Sequence, residues 1–212
     1  MWSYEKRLQF PVNIKEPNAK LAQVIISQYG GPDGEMGASM RYLSQRYSMP
    51  FKEVAGLLTD IGTEELGHLE MVATIVHQLT RDLSMEEIEK SGFANYYVDH
   101  TIGVWPQAAG GVPFNACEFQ VKGDIITDLH ESMAAEQKAR STYDNILRLI
   151  KDPDVCEPIK FLRAREIVRT PGTSMRLTPV LTAAIPARPD DSKTVFSQIT
   201  QKNTNSVQKI LI

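Results

Sequence analysis

The sequence has little of three features that would each point to a particular class of protein. Only two of its 212 residues are cysteines, Cys117 and Cys156, and no Cys-x-x-Cys occurs, so neither a disulfide framework nor a cysteine-based metal site is expected. No apolar run approaches the roughly 20 residues that span a bilayer. No apolar stretch follows the first residues either, so a secretory signal is not predicted. Together these absences are typical of a cytoplasmic protein.

An excess of positive charge is also lacking. The chain has 23 Lys and Arg against 26 Asp and Glu, which gives a net charge of −3. It contains no basic block with interleaved aromatic residues, so nucleic acid is not predicted as a partner. A hydrophobic content of 42% with 23% charged residues fits a globular domain with one substantial core, and nothing indicates a membrane partner.

What the chain does contain is a long helical pattern over residues 51–79. Its apolar residues recur at the spacing of one helix face, at Val54, Leu57, Ile61, Val72, Ile75 and Leu79. The same stripe passes through Glu65 and His68. A buried carboxylate is costly unless something neutralises it. Glu-x-x-His on the inner face of a bundle helix is a ligand pattern of di-iron and di-manganese proteins.

Three further helical patterns each place a glutamate on the inward stripe. They begin near residues 18, 124 and 152, and their glutamates are Glu35, Glu136 and Glu166. The first is interrupted by glycines and Pro32, which predicts a kinked helix or two helices. Four buried glutamates carry four negative charges, which two divalent cations would balance. Carboxylate and imidazole ligands suit manganese or iron.

The remaining segments complete an all-α architecture. Residues 1–17 are predicted to form an irregular arm, and residues 18–169 a four-helix bundle. Within the bundle, residues 91–122 read as a long crossover loop, because parallel second and third helices need such a connection. Ser84 is expected to cap a short helix before that loop. Residues 170–212 are rich in Ser, Thr and Pro and read as an irregular tail.

Several motifs carry a resemblance to a known family. They are Gln28-Tyr29-Gly30-Gly31-Pro32-Asp33-Gly34-Glu35, Arg41-Tyr42-Leu43-Ser44-Gln45-Arg46-Tyr47, Asp60-Ile61-Gly62-Thr63-Glu64-Glu65-Leu66-Gly67-His68, Gly111-Val112-Pro113-Phe114, Ala134-Ala135-Glu136 and Phe161-Leu162-Arg163 with Arg165-Glu166. With these motifs the chain resembles the manganese catalase family over about residues 1–168. Within that family it is most similar to the branch of CotJC-like spore-coat proteins.

The resemblance implies a ferritin-like bundle that holds two manganese ions and converts hydrogen peroxide to water and dioxygen. It implies that the metal ligands are Glu35, Glu65, His68 and Glu136. It also implies that Glu166 is an acidic catalytic residue beside the metals. The expected partners are hydrogen peroxide, further copies of the chain and other spore-coat proteins. The expected location is the cytoplasm, with assembly into the spore coat.

One position departs from the family pattern. The resemblance places a second histidine ligand at position 169, where this chain has Arg169. A guanidinium has no usable lone pair and stays protonated, so it cannot replace that ligand. The resemblance ends at the same place, which suggests a single event. We hypothesise a change of reading frame near codon 169, which would make residues 170–212 a frame-altered tail.

Alternative interpretations stay open at this point. Glu65 and His68, taken alone, could form a surface ion pair or include a core histidine with ordinary partners. The chain is an enzyme only if the metal site is competent. Without a competent site it would be a structural protein of spore-coat assembly. A ferritin-like iron oxidase, with iron in place of manganese, is a further alternative. His77, His100 and His130 are interpreted as ordinary loop or surface residues.

Overall fold

Helices make up most of the structure, a computed structural model that describes residues 4–96, 103–119 and 121–167. The helices are α1 (Ala19–Ile25), α2 (Ser27–Gly30), α3 (Glu35–Gln45), α4 (Lys52–Thr80), α5 (Met85–Ser91), α6 (Ile125–Leu149) and α7 (residues 153–167). These described residues contain no β-strand, and an isolated bridge joins Gln107 to Pro113. The predicted all-α class is therefore confirmed.

The helix starts follow from local capping. The side chain of Asn18 accepts a hydrogen bond from the backbone N–H of Leu21, and Asp124 does the same for Thr127. Ser84 and Glu87 form a reciprocal capping box at the start of α5. Each of these side chains satisfies a backbone donor that has no partner within its helix.

A glycine-rich break separates α2 from α3, as the sequence predicts. α2 ends at Gly30, and α3 begins at Glu35. A Cβ atom added to Gly30 would lie 2.3 Å from the backbone nitrogen of Gln107. Glycine at this position therefore lets the segment between α5 and α6 pass directly over the break, next to the start of α3.

The direction of the helices follows from their cross-contacts. The Tyr143 hydroxyl donates to Glu35, and the Tyr42 hydroxyl donates to Glu136, so α3 and α6 run antiparallel. Gly62 packs against Leu43 and Tyr42, while the start of α3 meets His68, so α3 and α4 are also antiparallel. Consequently α4 and α6 run parallel, and the segment between them crosses the bundle.

An apolar core fills one end of the bundle. It joins α1, the second half of α4, the second half of α6 and the first half of α7, through residues that include Ile25, Met71, Val72, Ile75, Leu79, Tyr143, Ile146, Ile159 and Leu162. Along α7, the buried positions Val155, Ile159, Leu162 and Glu166 are those of the predicted stripe.

Two details of the predicted stripes are wrong. In α4 the buried residue is Leu58, whereas Leu57 is half-buried. In α3, Met36 and Met40 continue the apolar pattern of the sequence but are only half-buried, and the inner face instead carries polar side chains. The predicted end of the last helix at Arg169 and the predicted tail 170–212 lie outside the described residues. Among the residues that are described, no helix is long and apolar enough to cross a membrane.

Candidate metal centre

Three carboxylates and one imidazole converge at the polar end of the bundle. Glu35 is the first residue of α3, Glu65 and His68 lie one turn apart on α4, and Glu166 lies on α7. One ligand atom from each of these four residues lies within 4.8 Å of the others. None of the four is more than 2% exposed. The structure therefore brings together four of the five residues predicted from the sequence within the reach of a single cation.

The fifth predicted residue, Glu136 on α6, lies beside this group. Its side chain is buried, and its charge acts on Glu166 together with a hydrogen bond. In the structure, Glu166 belongs to the four-residue group, whereas Glu136 stands next to it. The resemblance places Glu136 among the ligands and Glu166 beside them, and that assignment stays a prediction.

The imidazole of His68 has a defined orientation. Its Nδ1 lies 3.0 Å from Glu65 Oε2 and 3.8 Å from Glu35 Oε2. Its Nε2 lies 3.7 Å from Glu64 Oε1, on the opposite side of the ring. The ring edge also contacts the face of Phe161, with centroids 6.4 Å apart. Nδ1 therefore faces the carboxylate group, and Nε2 faces away from it.

The electrostatics of the group are those of crowded negative charge. Burial, and then the charge of Glu65, raise the pKa of Glu35 well above its usual range. Burial, and then the charges of Glu136, Glu65 and Glu35, do the same to the pKa of Glu166. Burial lowers the pKa of His68, but the contacts with Glu64 and Glu65 outweigh it and raise that pKa to about 9. Without a cation the site therefore retains protons that ordinary carboxylates lose near pH 4.5.

Two buried tyrosines hold two of the glutamates in a reciprocal arrangement. Tyr42 follows Glu35 by seven residues on α3, and Tyr143 follows Glu136 by seven residues on α6. Because the helices are antiparallel, each tyrosine reaches the glutamate of the other helix: Tyr42 donates to Glu136, and Tyr143 donates to Glu35. Both carboxylates are thereby fixed in orientation.

The sequence by itself predicted no role at the site for Tyr42 or Tyr143. The sequence does contain a signal for both tyrosines, because Glu-x₆-Tyr occurs on both helices at the spacing of one helix face. What could not be read from the sequence was the register in which α3 and α6 face each other. That register turns two ordinary buried tyrosines into donors to the site.

A small cavity reaches the group from the side of α3 and α6. It has a volume of about 10 Å³, which is close to the minimum that holds one water molecule. Its wall includes Glu35, Glu136 and Glu166, with the small side chains of Ala135 and Ala139. Arg41, whose side chain is fully buried, also lines it and was missed by the sequence analysis. Only a very small solute fits here.

The donor set fits a divalent manganese or iron cation. Carboxylate oxygens and an imidazole nitrogen are the ligands that these metals take. Three buried carboxylates this close together, with Glu136 beside Glu166, need compensating positive charge. A soft, thiol-binding metal is not favoured, because Cys117 is exposed and Cys156 lies near the start of α7, beside the backbone of Ile150.

Comparison with known proteins agrees with this interpretation. The family model for manganese containing catalase matches residues 1–172. Protein CotJC of Bacillus subtilis is 51% identical over 170 residues, which cover 80% of this chain and 89% of that protein. A probable manganese catalase of Clostridium acetobutylicum is 34% identical over 168 residues, covering 78% and 75% of the two chains.

A solved structure shares the whole architecture. The crystal structure of KatB, a manganese catalase from Anabaena, superimposes with a TM-score of 0.79 at 27% sequence identity. The match covers 91% of this chain and 88% of that one. The predicted ferritin-like helical bundle is therefore confirmed.

Proposed function

Since the chain belongs to the manganese catalase family, we propose that it holds two manganese ions and converts hydrogen peroxide to water and dioxygen. The residues proposed to hold the metals are Glu35, Glu65, His68 and Glu136. The first three form the buried group together with Glu166, and Glu136 contacts Glu166. The observation that carries the proposal is the convergence of three carboxylates and His68 Nδ1 in a fully buried group, all within 4.8 Å of one another.

The conversion of hydrogen peroxide consists of two half-reactions, and each of them moves both electrons and protons. One peroxide takes up two electrons and two protons and becomes two waters, while a second releases two of each and becomes dioxygen. A pair of manganese ions, each changing oxidation state by one unit, supplies the two electrons. The protein supplies the place for the protons and excludes other reactants.

Glu166 is the residue we assign to the protons. Its carboxylate lies in the buried group, contacts Glu136 and lines the small cavity. It can therefore hold a proton released by one peroxide and return it to the next, without exchange with bulk water. The hydroxyls of Tyr42 and Tyr143 keep Glu136 and Glu35 oriented throughout.

Metal content and oxygen release test the proposal together. The protein, produced with manganese in the medium, should contain about two manganese per chain by elemental mass spectrometry. It should also release one dioxygen for every two peroxides consumed. Glu65→Gln should lose metal and activity, whereas Glu70→Gln, on an exposed part of the same helix near Tyr4, should retain both. A folded protein with neither manganese nor iron would overturn the proposal.

Arg169 is proposed to impair this activity. Its positive charge would compete with a metal cation for the glutamates, and it provides no nitrogen ligand. Arg169→His should therefore increase both manganese content and the rate of oxygen release. Arg169→Gln, which removes the charge without adding a ligand, separates the two causes. If Arg169→His changes neither quantity, the impairment is not at this position.

A second candidate function is a structural role in spore-coat assembly. The observation that favours it is the 51% identity to protein CotJC, since the sequence resembles the spore-coat branch of the family. In that case the protein would form stable oligomers, bind coat proteins and release no oxygen from peroxide. A ferritin-like iron oxidase would instead take up iron and consume dioxygen, so the oxygen electrode distinguishes all three.

A further inference from the structure

His68 has a carboxylate partner on both sides of its ring: Glu65 beside Nδ1 and Glu64 beside Nε2. Nε2 lies 3.7 Å from Glu64 Oε1, which is an ion-pair distance and longer than the roughly 2.7–3.2 Å of a hydrogen bond. The same oxygen of Glu64 accepts a 2.7 Å hydrogen bond from Nε of Arg165. A chain of contacts thus runs from α7 through Glu64 to the buried imidazole on α4.

The chemistry of imidazole explains how these contacts could affect metal binding by His68. A neutral imidazole carries its single proton on one nitrogen and has a lone pair on the other. A metal held by His68 Nδ1 together with Glu65 and Glu35 therefore requires that the proton sit on Nε2. A carboxylate facing Nε2 favours that proton position, and metal-binding histidines commonly have such a partner.

The placement of Glu64 makes it suited to this role. The Glu64 side chain is 23% exposed, so the carboxylate avoids the cost of full burial. The hydrogen bond from Arg165 holds it in place beside His68. Glu64 lies off the inward stripe of α4, so helical periodicity alone does not indicate a role at the site.

We propose that Glu64 and Arg165 are positioning residues for His68: Glu64 holds the imidazole proton on Nε2, and Arg165 holds Glu64. The inference rests on the proposed function, since it concerns how His68 is presented to the metal. Neither residue touches the metal or the peroxide. Both act through the orientation and tautomer of one ring.

A neighbouring ion pair provides a matched control. Arg163 lies on the same helix and contacts Asp144 of α6. The Arg163 and Asp144 side chains are 33% and 28% exposed, close to the 35% and 23% of Arg165 and Glu64. In the described residues, Arg163 contacts Asp144 and not His68 or Glu64. Its substitution therefore measures how the loss of a partly exposed ion pair affects manganese affinity when His68 is not involved.

The first experiment measures manganese affinity by competition with a chelator. Glu64→Gln should weaken binding by about 10–100-fold, the usual effect of losing such a partner. Arg165→Gln should weaken it less, Arg165→Lys should restore most of the loss, and Arg163→Gln should bind like the wild type. Equal affinities for Glu64→Gln and Arg163→Gln would overturn the inference.

The second experiment does not depend on metal. The chain has four histidines, so labelling their rings with ¹⁵N gives few signals, and His68→Gln identifies the one that matters. Without metal, the raised pKa of His68 keeps a proton on both ring nitrogens at neutral pH, so this experiment reports the contact between Nε2–H and Glu64. In the wild type and in Arg163→Gln, the His68 Nε2–H should be protected from exchange. In Glu64→Gln that proton should exchange faster, with a shifted ring signal.

The two experiments separate failure of the inference from failure of the proposed function. A wild type that binds no manganese overturns the proposed function, yet the ring signals still decide the role of Glu64. Unchanged ring signals in Glu64→Gln overturn the inference even if the wild type is an active catalase. If Glu64→Gln does not fold, Arg165→Gln carries the same comparison, because that side chain is half-exposed.

Discussion

Two segments of α4, residues 65–68 and 71–79, are equally buried but lie in opposite environments. Met71, Val72, Ile75 and Leu79 are inaccessible to solvent and pack against apolar residues of α1, α6 and α7. Just before them along the helix, Glu65 and His68 are equally inaccessible, but they lie within the buried group of carboxylates. A single helix therefore crosses from an apolar core into a polar group without any change in exposure.

The difference teaches that the bundle is stabilised at one end and carries the candidate metal centre at the other. Each fully buried aliphatic side chain of the core contributes roughly 1.5–3 kcal/mol. Each unpaired buried carboxylate costs several kcal/mol. The core must therefore hold the helices in register while the metal site is empty, and the site depends on that register.

The largest expected effect is a difference in sign between two changes in the free energy of unfolding, one caused by a substitution in the apolar core and the other by a substitution in the buried acidic group. In the metal-free protein, Ile75→Ala should lower the free energy of unfolding by about 2–5 kcal/mol, because it leaves a cavity in the core. Glu166→Gln should leave that free energy unchanged or raise it, because it removes a buried carboxyl whose charge is repelled by Glu136, Glu65 and Glu35. Urea unfolding of both variants measures the contrast, and a comparable loss in Glu166→Gln would refute it.

The stability of the metal-free protein should depend on pH because of the buried acidic group. The pKa values of Glu35, Glu166 and His68 are all raised by folding, that of His68 from 6.5 to about 9. A group with a raised pKa contributes stability below its unfolded pKa, and that stability is lost as the pH rises through the folded value. Thermal unfolding should therefore show stability falling between pH 5 and 9.

The shift of His68 alone corresponds to a loss on the order of 3 kcal/mol. Manganese should flatten the profile above neutral pH, because the cation takes the place of the protons. Glu166→Gln should flatten part of it without metal. A metal-free protein that became more stable towards pH 9 would contradict the expected direction.

The smallest effect concerns two glycines of α4. A Cβ atom added to Gly62 would lie 2.8 Å from Leu43 Cγ and 3.1 Å from Tyr42 Cβ, whereas one added to Gly56 would have no neighbour within 4 Å. Gly56→Ala should therefore stabilise the protein by up to about 1 kcal/mol through helix propensity. Gly62→Ala should lower stability by about 1 kcal/mol, since the overpacking cost of roughly 1–3 kcal/mol outweighs that gain.

Gly62→Ala should also weaken manganese binding, because it displaces Tyr42 from Glu136. Unfolding curves and metal content of the two variants measure both effects. Gly56→Ala is the control for metal content, because its side chain would point away from the bundle interior. Equal metal content in the two variants would show that the approach of α3 to α4 does not control the site.

Much of this molecule could be predicted from the sequence. Helical periodicity located α4, α6 and α7, and Ser84 was predicted as the cap of the short helix α5. The stripe through Glu65 and His68 was visible because the residues around it are apolar. Glu35, Glu136 and Glu166 were found by the same spacing, and all of them are buried in the structure.

Prediction failed where a buried face is not apolar. The inner face of α3 carries Glu35, Ser39, Arg41, Tyr42 and Gln45, so hydrophobic spacing indicated the wrong residues. Gln45 bonds to Ser132 and to the backbone of Asp128, a polar seam between α3 and α6 that continues towards Glu136. The residues of such a polar face are determined by the groups they contact on other helices, so hydrophobic periodicity within the segment does not reveal them.

The sequence by itself therefore determined the helices, the family and the acidic and imidazole groups of the site. Only the tertiary structure decided which groups meet: Tyr42 with Glu136, Tyr143 with Glu35, and Arg165 with Glu64 and, through it, His68. The physical reason is that periodicity records which face of a helix is buried, within one segment of chain. What that face meets depends on the register between helices distant in sequence, and it is set by packing of the apolar core.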